Sequence, residues 1–358
     1  MNTDTPRSPV PLSSSAEDLM HSLLGLGVVT AVYADGRAHI LGLPDSFFTP
    51  WHAFFYGGLG LMVLWLGIIG WRDARRVGSS GRIVIPVGYR PAVAGAIVFA
   101  VGGVADMVWH LVFGVEFGID ALLSPSHLIL FVGGALLLSG PLLAARKADA
   151  RPTIATRIPA LLSIIGITAV GAFALGFLSA FISDAPTMVV SHAPEGTPAH
   201  VTSEGLASAG LGSFILTTLL LVAPTIYIVR RGLWFPGAAA ALITVTAAYA
   251  VSLTGFQNPM SIATAFIAGA LLDLIILVLR GRVPGRGLEL IAATALPLLV
   301  WPAQLVVVSI QYGLGWSEAM TAGVVLLSAA VSVATVLAIG RAEPMPKVSA
   351  TTLSDAQV

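Results

Sequence analysis

The sequence predicts an all-α integral membrane protein of about ten spanning helices, with both termini in the cytoplasm. Three observations carry this reading. The 358 residues are 56% hydrophobic and only 10% charged, with a mean hydropathy of +0.90. A soluble domain carries about 25% charged residues. Ten apolar segments each approach the ~20 residues that cross a bilayer. Basic residues gather in alternate linkers, as cytoplasmic loops do under the positive-inside rule.

Residues 1–16 are polar and rich in Pro and Ser. They lack the n-region and cleavage site of a signal peptide, so they read as a disordered cytoplasmic tail. The expected spans fall at roughly 17–41, 50–71, 90–116, 123–145, 158–182, 208–229, 233–255, 260–279, 288–312 and 318–339. Arg72, Arg75, Arg76, Arg82 and Arg90 join the second span to the third. Arg146, Lys147, Arg151 and Arg157 join the fourth to the fifth. Arg230 and Arg231 follow the sixth; Arg280, Arg282 and Arg286 the eighth; Arg341 and Lys347 the tenth. An even count puts all of these on one side, the cytoplasmic side of the inner membrane, with Arg37 alone opposite. The chain then divides into a four-helix unit (17–145) and a six-helix unit (146–341). The second unit has an outer loop at 183–208, and a disordered cytoplasmic tail follows at 342–358. The lipid bilayer is the expected partner, and no nucleic acid is expected. No cysteine is present, which excludes disulfides, thiolate zinc sites and iron–sulfur clusters.

A motif occurs twice in the four-helix unit. Asp35 and His39 are four apart, on one face of a helix. His52 follows Thr49 and Pro50, an N-cap and first helical residue, so it opens the next helix. Asp106 and His110 repeat the pair, and Ser124-Pro125-Ser126-His127 repeats the second element. The Asp and the first His each recur after 71 residues and the second His after 75, so the second loop is longer.

Two helices joined by a short loop bring each Asp and its two His together. One carboxylate and two imidazoles make a transition-metal ligand set, open to copper, zinc, iron or nickel, and it leaves a position open. His52 and His127 stand at helix N-termini, whose dipole of roughly +0.5 charge repels a cation. Asp35 and Asp106 offset that repulsion. A lone intramembrane His is more often a hydrogen-bonding helix contact, and a Ser/Thr-Pro pair is an ordinary helix start. Recurrence of the whole set favours the metal. The orientation puts both units at the outer ends of helix pairs, as a parallel repeat that can share one cavity.

These residues resemble the C subunit of the particulate methane and ammonia monooxygenases, the copper membrane monooxygenases. One metal site there is built from Asp-Gly-x-x-His and a later Phe-Thr-Pro-x-His. Asp35, Gly36, His39, Phe48, Thr49, Pro50 and His52 match it, and Phe55-Tyr56 extends the match. A second family site is matched by His110, Glu116, Pro125 and His127, with Asp106 where the family has Asn. The resemblance covers about residues 29–134. It implies copper as cofactor, monooxygenase-like oxygen chemistry, partner membrane subunits, and Glu116 as an orienting partner of the second-site histidines.

Outside the motif, Asp120 reads as a surface charge, and Trp51 and Trp109 as members of an interfacial aromatic belt. His192, Glu195 and His200 lie in the expected outer loop, where polar residues are usually just solvated. Asp273 lies within the eighth span, either functional or reaching for the cytoplasm. Gln304 and Gln311 share a face and read as interhelical hydrogen-bonding groups. Two other functions compete with an oxygen-active metalloprotein. A metal transporter would place ligands at several depths. A metal-free structural subunit would use the Asp/His clusters as hydrogen-bonded contacts.

Overall fold

The computed structural model describes residues 11–43, 49–78, 83–114, 118–147, 152–190 and 192–340. Glu116, residues 1–10 of the expected tail 1–16, and the expected tail 342–358 lie outside the described residues; Ser15 and Ala16, expected in the first tail, open the first helix. Regular structure among the described residues is helical: α1 Ser15–Ile40, α2 Pro50–Arg76, α3 Arg90–Phe113, α4 Ile119–Leu123, α5 Pro125–Leu138, α6 Gly140–Lys147, α7 Ile154–Ala174, α8 Pro198–Arg230, α9 Ala238–Leu253, α10 Met260–Leu279, α11 Gly285–Tyr312 and α12 Glu318–Ala338. Eight of these are long and apolar enough to cross a membrane, and the bent pair α5–α6 makes a ninth crossing if counted as one. That is the architecture of a multi-pass membrane protein. Each of the ten expected segments coincides with a helix or helix pair. The seventh, α9, has 16 residues, short of a full crossing.

Local sequence explains most helix starts. Ser14 and Glu17 form a reciprocal capping box on α1. Pro stands in the first turn of α2, α3, α5 and α8. The fourth span is not one straight helix. It bends by 41° between α5 and α6. Pro141 has no N–H to return to the Leu137 carbonyl four residues back. His21 of α1 takes that carbonyl instead, with Nε2 2.9 Å from it, and Ser163 of α7 donates to the Leu138 carbonyl. Neighbouring helices thus satisfy the backbone groups that the bend releases.

Two expected boundaries differ from the structure. The fifth helix ends at Ala174, not near 182. Beyond it the chain turns through short 3-10 segments, where Thr217 Oγ1 accepts from the Ala180 N–H at 3.0 Å. The expected loop 183–208 closes ten residues early, because Thr197 and Pro198 start α8 as Thr49 and Pro50 start α2.

The buried side chains form two clusters. One lies among α1, α2, α3, α5 and α6 and takes in Ala169 of α7 and Leu253 of α9; the other lies among α7–α12. α3 and α5 approach most closely through glycine: a Cβ on Gly133 would lie 2.6 Å from the Phe99 backbone nitrogen. Ion pairs hold the bundle end opposite the Asp/His units. Glu17 meets Arg72 and Arg76, Asp73 meets Arg76, and Glu289 meets Arg230 and Arg286. Asp18 accepts from the Tyr89 hydroxyl at 2.7 Å.

Candidate metal centres

α1 and α3 deliver Asp35 with His39 and Asp106 with His110 in their last two turns, while α2 and α5 deliver His52 and His127 in their first. The structure therefore assembles both sequence-derived triads. In the first, His39 Nε2 is 3.5 Å from Asp35 Oδ2 and His52 Nε2 is 3.4 Å from Asp35 Oδ1. In the second, His110 Nε2 is 3.4 Å from Asp106 Oδ2 and His127 Nε2 is 3.7 Å from Asp106 Oδ1. The two imidazole centroids are 6.2 Å apart in one triad and 6.1 Å in the other. In both, each carboxylate oxygen faces a different histidine.

These separations argue for an ion. They exceed the roughly 3.2 Å limit of a good N–H···O hydrogen bond. Two ligands at 2.0–2.2 Å from a tetrahedral ion lie about 3.4 Å apart. One ligand atom from each residue of a triad falls within 4.8 Å of the other two. Asp35 Oδ1 is buried without a hydrogen-bond partner, a position that a cation would satisfy.

The second triad carries orienting contacts. His127 Nδ1 is 2.6 Å from Ser124 Oγ and His110 Nδ1 is 3.2 Å from the Gly114 carbonyl. Donation of each Nδ1–H there leaves Nε2 bare for an ion. Ser126 Oγ donates to Asp106 Oδ1 at 2.9 Å. In the first unit Trp51 stands at the position of Ser126, and Thr49 Oγ1 is buried without a partner. The Ser-Pro-Ser-His element thus caps a helix and holds two ligands, a role the sequence reading did not assign to its serines. Side-chain exposure is 21% for Asp35 and 9% for Asp106.

Both triads line one cavity of about 900 Å³. The four-helix unit does not enclose it alone. Val170 and Phe173 of α7, Phe177, Leu253 at the end of α9, and Thr254 and Gln257 beyond it complete the wall. Gly36 of the Asp-Gly-x-x-His motif lets this wall close, since a Cβ there would lie 2.6 Å from the Phe173 ring. Arg37 reaches across and donates Nη1–H to the Leu253 carbonyl at 2.9 Å. Tyr56, one turn past His52, bridges the units: its ring is 6.1 Å from the His52 ring and packs against Gly103, one turn before Asp106.

Other residues fall away from the site. Among the described residues, His192, Glu195 and His200 do not gather into a third cluster. Asp120 is exposed. Asp273 accepts from Trp234 Nε1 at 2.7 Å and from the N–H groups of Gly237, Ala239 and Ala240, so it caps the start of α9. Gln304 donates to the Phe181 carbonyl.

Fold and site define a class: a multi-pass helical membrane protein with duplicated Asp/His/His clusters over one cavity. Comparison with protein-family models, with curated proteins and with solved structures finds no match to this chain.

Proposed function

We propose that the chain is a ten-span membrane metalloprotein of the inner membrane, with cytoplasmic termini and a metal ion at each triad near the outer face. The observation that carries this is the duplicated cluster, in which one donor atom from each residue of a triad lies within 4.8 Å of the other two, a spacing that suits one ion per triad. Asp35, His39 and His52 hold one ion, and Asp106, His110 and His127 the other. Copper is the favoured metal, on the resemblance of the first motif to the copper membrane monooxygenases; zinc is the other ion the ligand set accepts. Copper would supply redox chemistry with oxygen, and zinc Lewis acidity. The protein residues bind the ions, orient them, and close an apolar wall around the open coordination side. That assignment makes the protein a monooxygenase-like enzyme or enzyme subunit.

Transport is the weaker reading. It needs ligands at several depths, and Asp273, the ionisable group deepest in the second unit, has its carboxylate filled by four donors. In a metal-free structural role the buried Asp35 Oδ1 has no hydrogen bond and only the 3.4 Å approach of His52 Nε2.

The test is elemental analysis of the purified protein beside His39→Ala and His110→Ala. The expected result is about two ions per chain, one lost in each variant and both lost in the double variant. Equal metal content in all four proteins would refute the assignment.

A further inference from the structure

The cavity beneath the triads is polar at one end only. Its mouth carries the six triad side chains with Arg37, Tyr56, Thr254 and Gln257. Below them the wall is Val28, Phe99, Leu130, Gly134, Leu137 and Leu138. The hydroxyl of Tyr33, also on the wall, is already given to the Ala169 carbonyl at 2.9 Å. Met62 and Leu137 bound its lower end, the floor, and are 0% and 1% exposed, so the open space stops short of them.

We propose that this cavity seats a single-chain amphiphile, tail toward the floor and oxygen-bearing head at the triads. The head's partner rests on the metal reading above; the tail's seat rests on the cavity alone. Polarity sets the direction. A hydroxyl or carboxylate at the floor meets no donor or acceptor, whereas the mouth offers several. A head of ammonium type is disfavoured, because it would meet Arg37 and two metal cations.

Length follows from helix rise. Gly134 lies seven residues past His127 and Leu138 eleven, so roughly 10 and 16 Å below the ligands. An extended chain advances about 1.2 Å per bond, as a backbone does at about 3.6 Å per three bonds. Tails of about eight to twelve carbons therefore fit with the head at the metals. Bulk lipid tails are as apolar as this wall, so added methylenes confer little preference over the bilayer. Selectivity lies in head and length.

The experiment uses the full chain in lipid nanodiscs with dodecanol bearing a diazirine at its tail end. After irradiation, labelled residues are mapped by peptide mass spectrometry. Labelling is expected at Val28, Leu130 and Leu138, above that at Leu61, Val63 and Leu64, which are 54%, 47% and 60% exposed to the surroundings. Unlabelled decanol and decanoate should suppress it at least fivefold; a twenty-carbon alcohol and decyltrimethylammonium should not. Gly134→Leu blocks the shaft halfway, where a Cβ has Phe99 as its nearest neighbour at 3.6 Å, and should abolish floor labelling. Val170→Phe, beside Gly134 where a Cβ would meet Val170 Cγ2 at 3.9 Å, fills the same level if the first variant fails to fold. Labelling confined to Leu61, Val63 and Leu64 overturns the proposal. So does floor labelling that survives both variants, or that comes from a probe with its diazirine at the head. Metal content is measured on the same sample. Floor labelling in protein that takes up no metal would sink the metal reading and the head's place while supporting the tail's seat.

Discussion

Ser126→Ala removes one hydroxyl from the second site and nothing from the first. Ser126 Oγ donates to Asp106 Oδ1 at 2.9 Å, and Asp106 is buried, so solvent cannot replace the lost donor. A hydrogen bond to a charged group contributes roughly 1.5–3 kcal/mol. Part of that stays in the metal-free protein, where the carboxylate relaxes toward another donor. The remainder appears as lost orientation. Orienting partners of metal ligands are worth about 10–100-fold in affinity, or about 1.4–2.8 kcal/mol. The low end is expected here, because Ser124 still holds His127. The measurement is a chelator competition titration with copper(II), in a His39→Ala, His52→Ala background that reports the second site alone. A fall of about tenfold in affinity is expected. The complementary change, Trp51→Ser, offers Asp35 a hydroxyl donor like the one Ser126 gives Asp106 and should tighten the first site. An affinity within twofold of the parent after Ser126→Ala would refute the view that this serine sets the carboxylate.

Further expectations follow from the same geometry. If the two carboxylates share one cavity, Asp35→Asn should weaken copper binding at the second site about fivefold or more, and Asp106→Asn the reverse, by calorimetry; unchanged affinities would mean independent sites. The sign comes from charge: each ion turns its triad from net −1 to net +1, so the second ion also binds more weakly than the first. Asp273→Ala leaves three backbone N–H groups and the Trp234 indole unpaired at the start of α9. It should cost about 2–4 kcal/mol, read as a lower midpoint of thermal unfolding in detergent with metal content per folded chain unchanged. A reporter fused after Arg282 should be cytoplasmic and one in the His192–His200 segment external; the opposite result would put both triads on the inner side.

Much of this was legible in the sequence because it is local. Asp35/His39 and Asp106/His110 are fixed by helix periodicity alone, and His52 and His127 by a cap and a proline. The same signal at Thr197-Pro198 was hidden among the polar residues between His192 and Glu204, so hydropathy placed the start of α8 too late. The bend at Ser139–Pro141 had its proline in view, but His21, which takes the freed carbonyl, is 116 residues away in sequence. Ser126 could have been suspected from its place in the repeat; its partner Asp106 is 20 residues back. The cavity wall contributed by Phe173, Phe177 and Gln257 rests on packing between the two units, and no spacing rule reaches that far.

With the helices in place, helix dipoles act on each triad from two sides. From sequence, only the N-termini of α2 and α5 weigh on the site, and the aspartates are needed to offset them. In the structure Asp35 and His39 stand at the C-terminal end of α1, and Asp106 and His110 at that of α3. Those ends carry roughly −0.5 charge against the +0.5 of α2 and α5. Each triad thus sits between opposed helix ends whose fields largely cancel. With neutral histidines, the net charge at each site is that of its carboxylate. The aspartates are then not compensation but the main source of cation affinity. If the triads hold ions as proposed, Asp106 supplies the second site with the same carboxylate charge that Asp35 supplies to the first. With a divalent ion at each triad the mouth becomes +2, with Arg37 beside it. Whatever polar group enters next meets that positive mouth above an apolar shaft. An oxygen-bearing head satisfies both conditions at once, and an ammonium head fails the first.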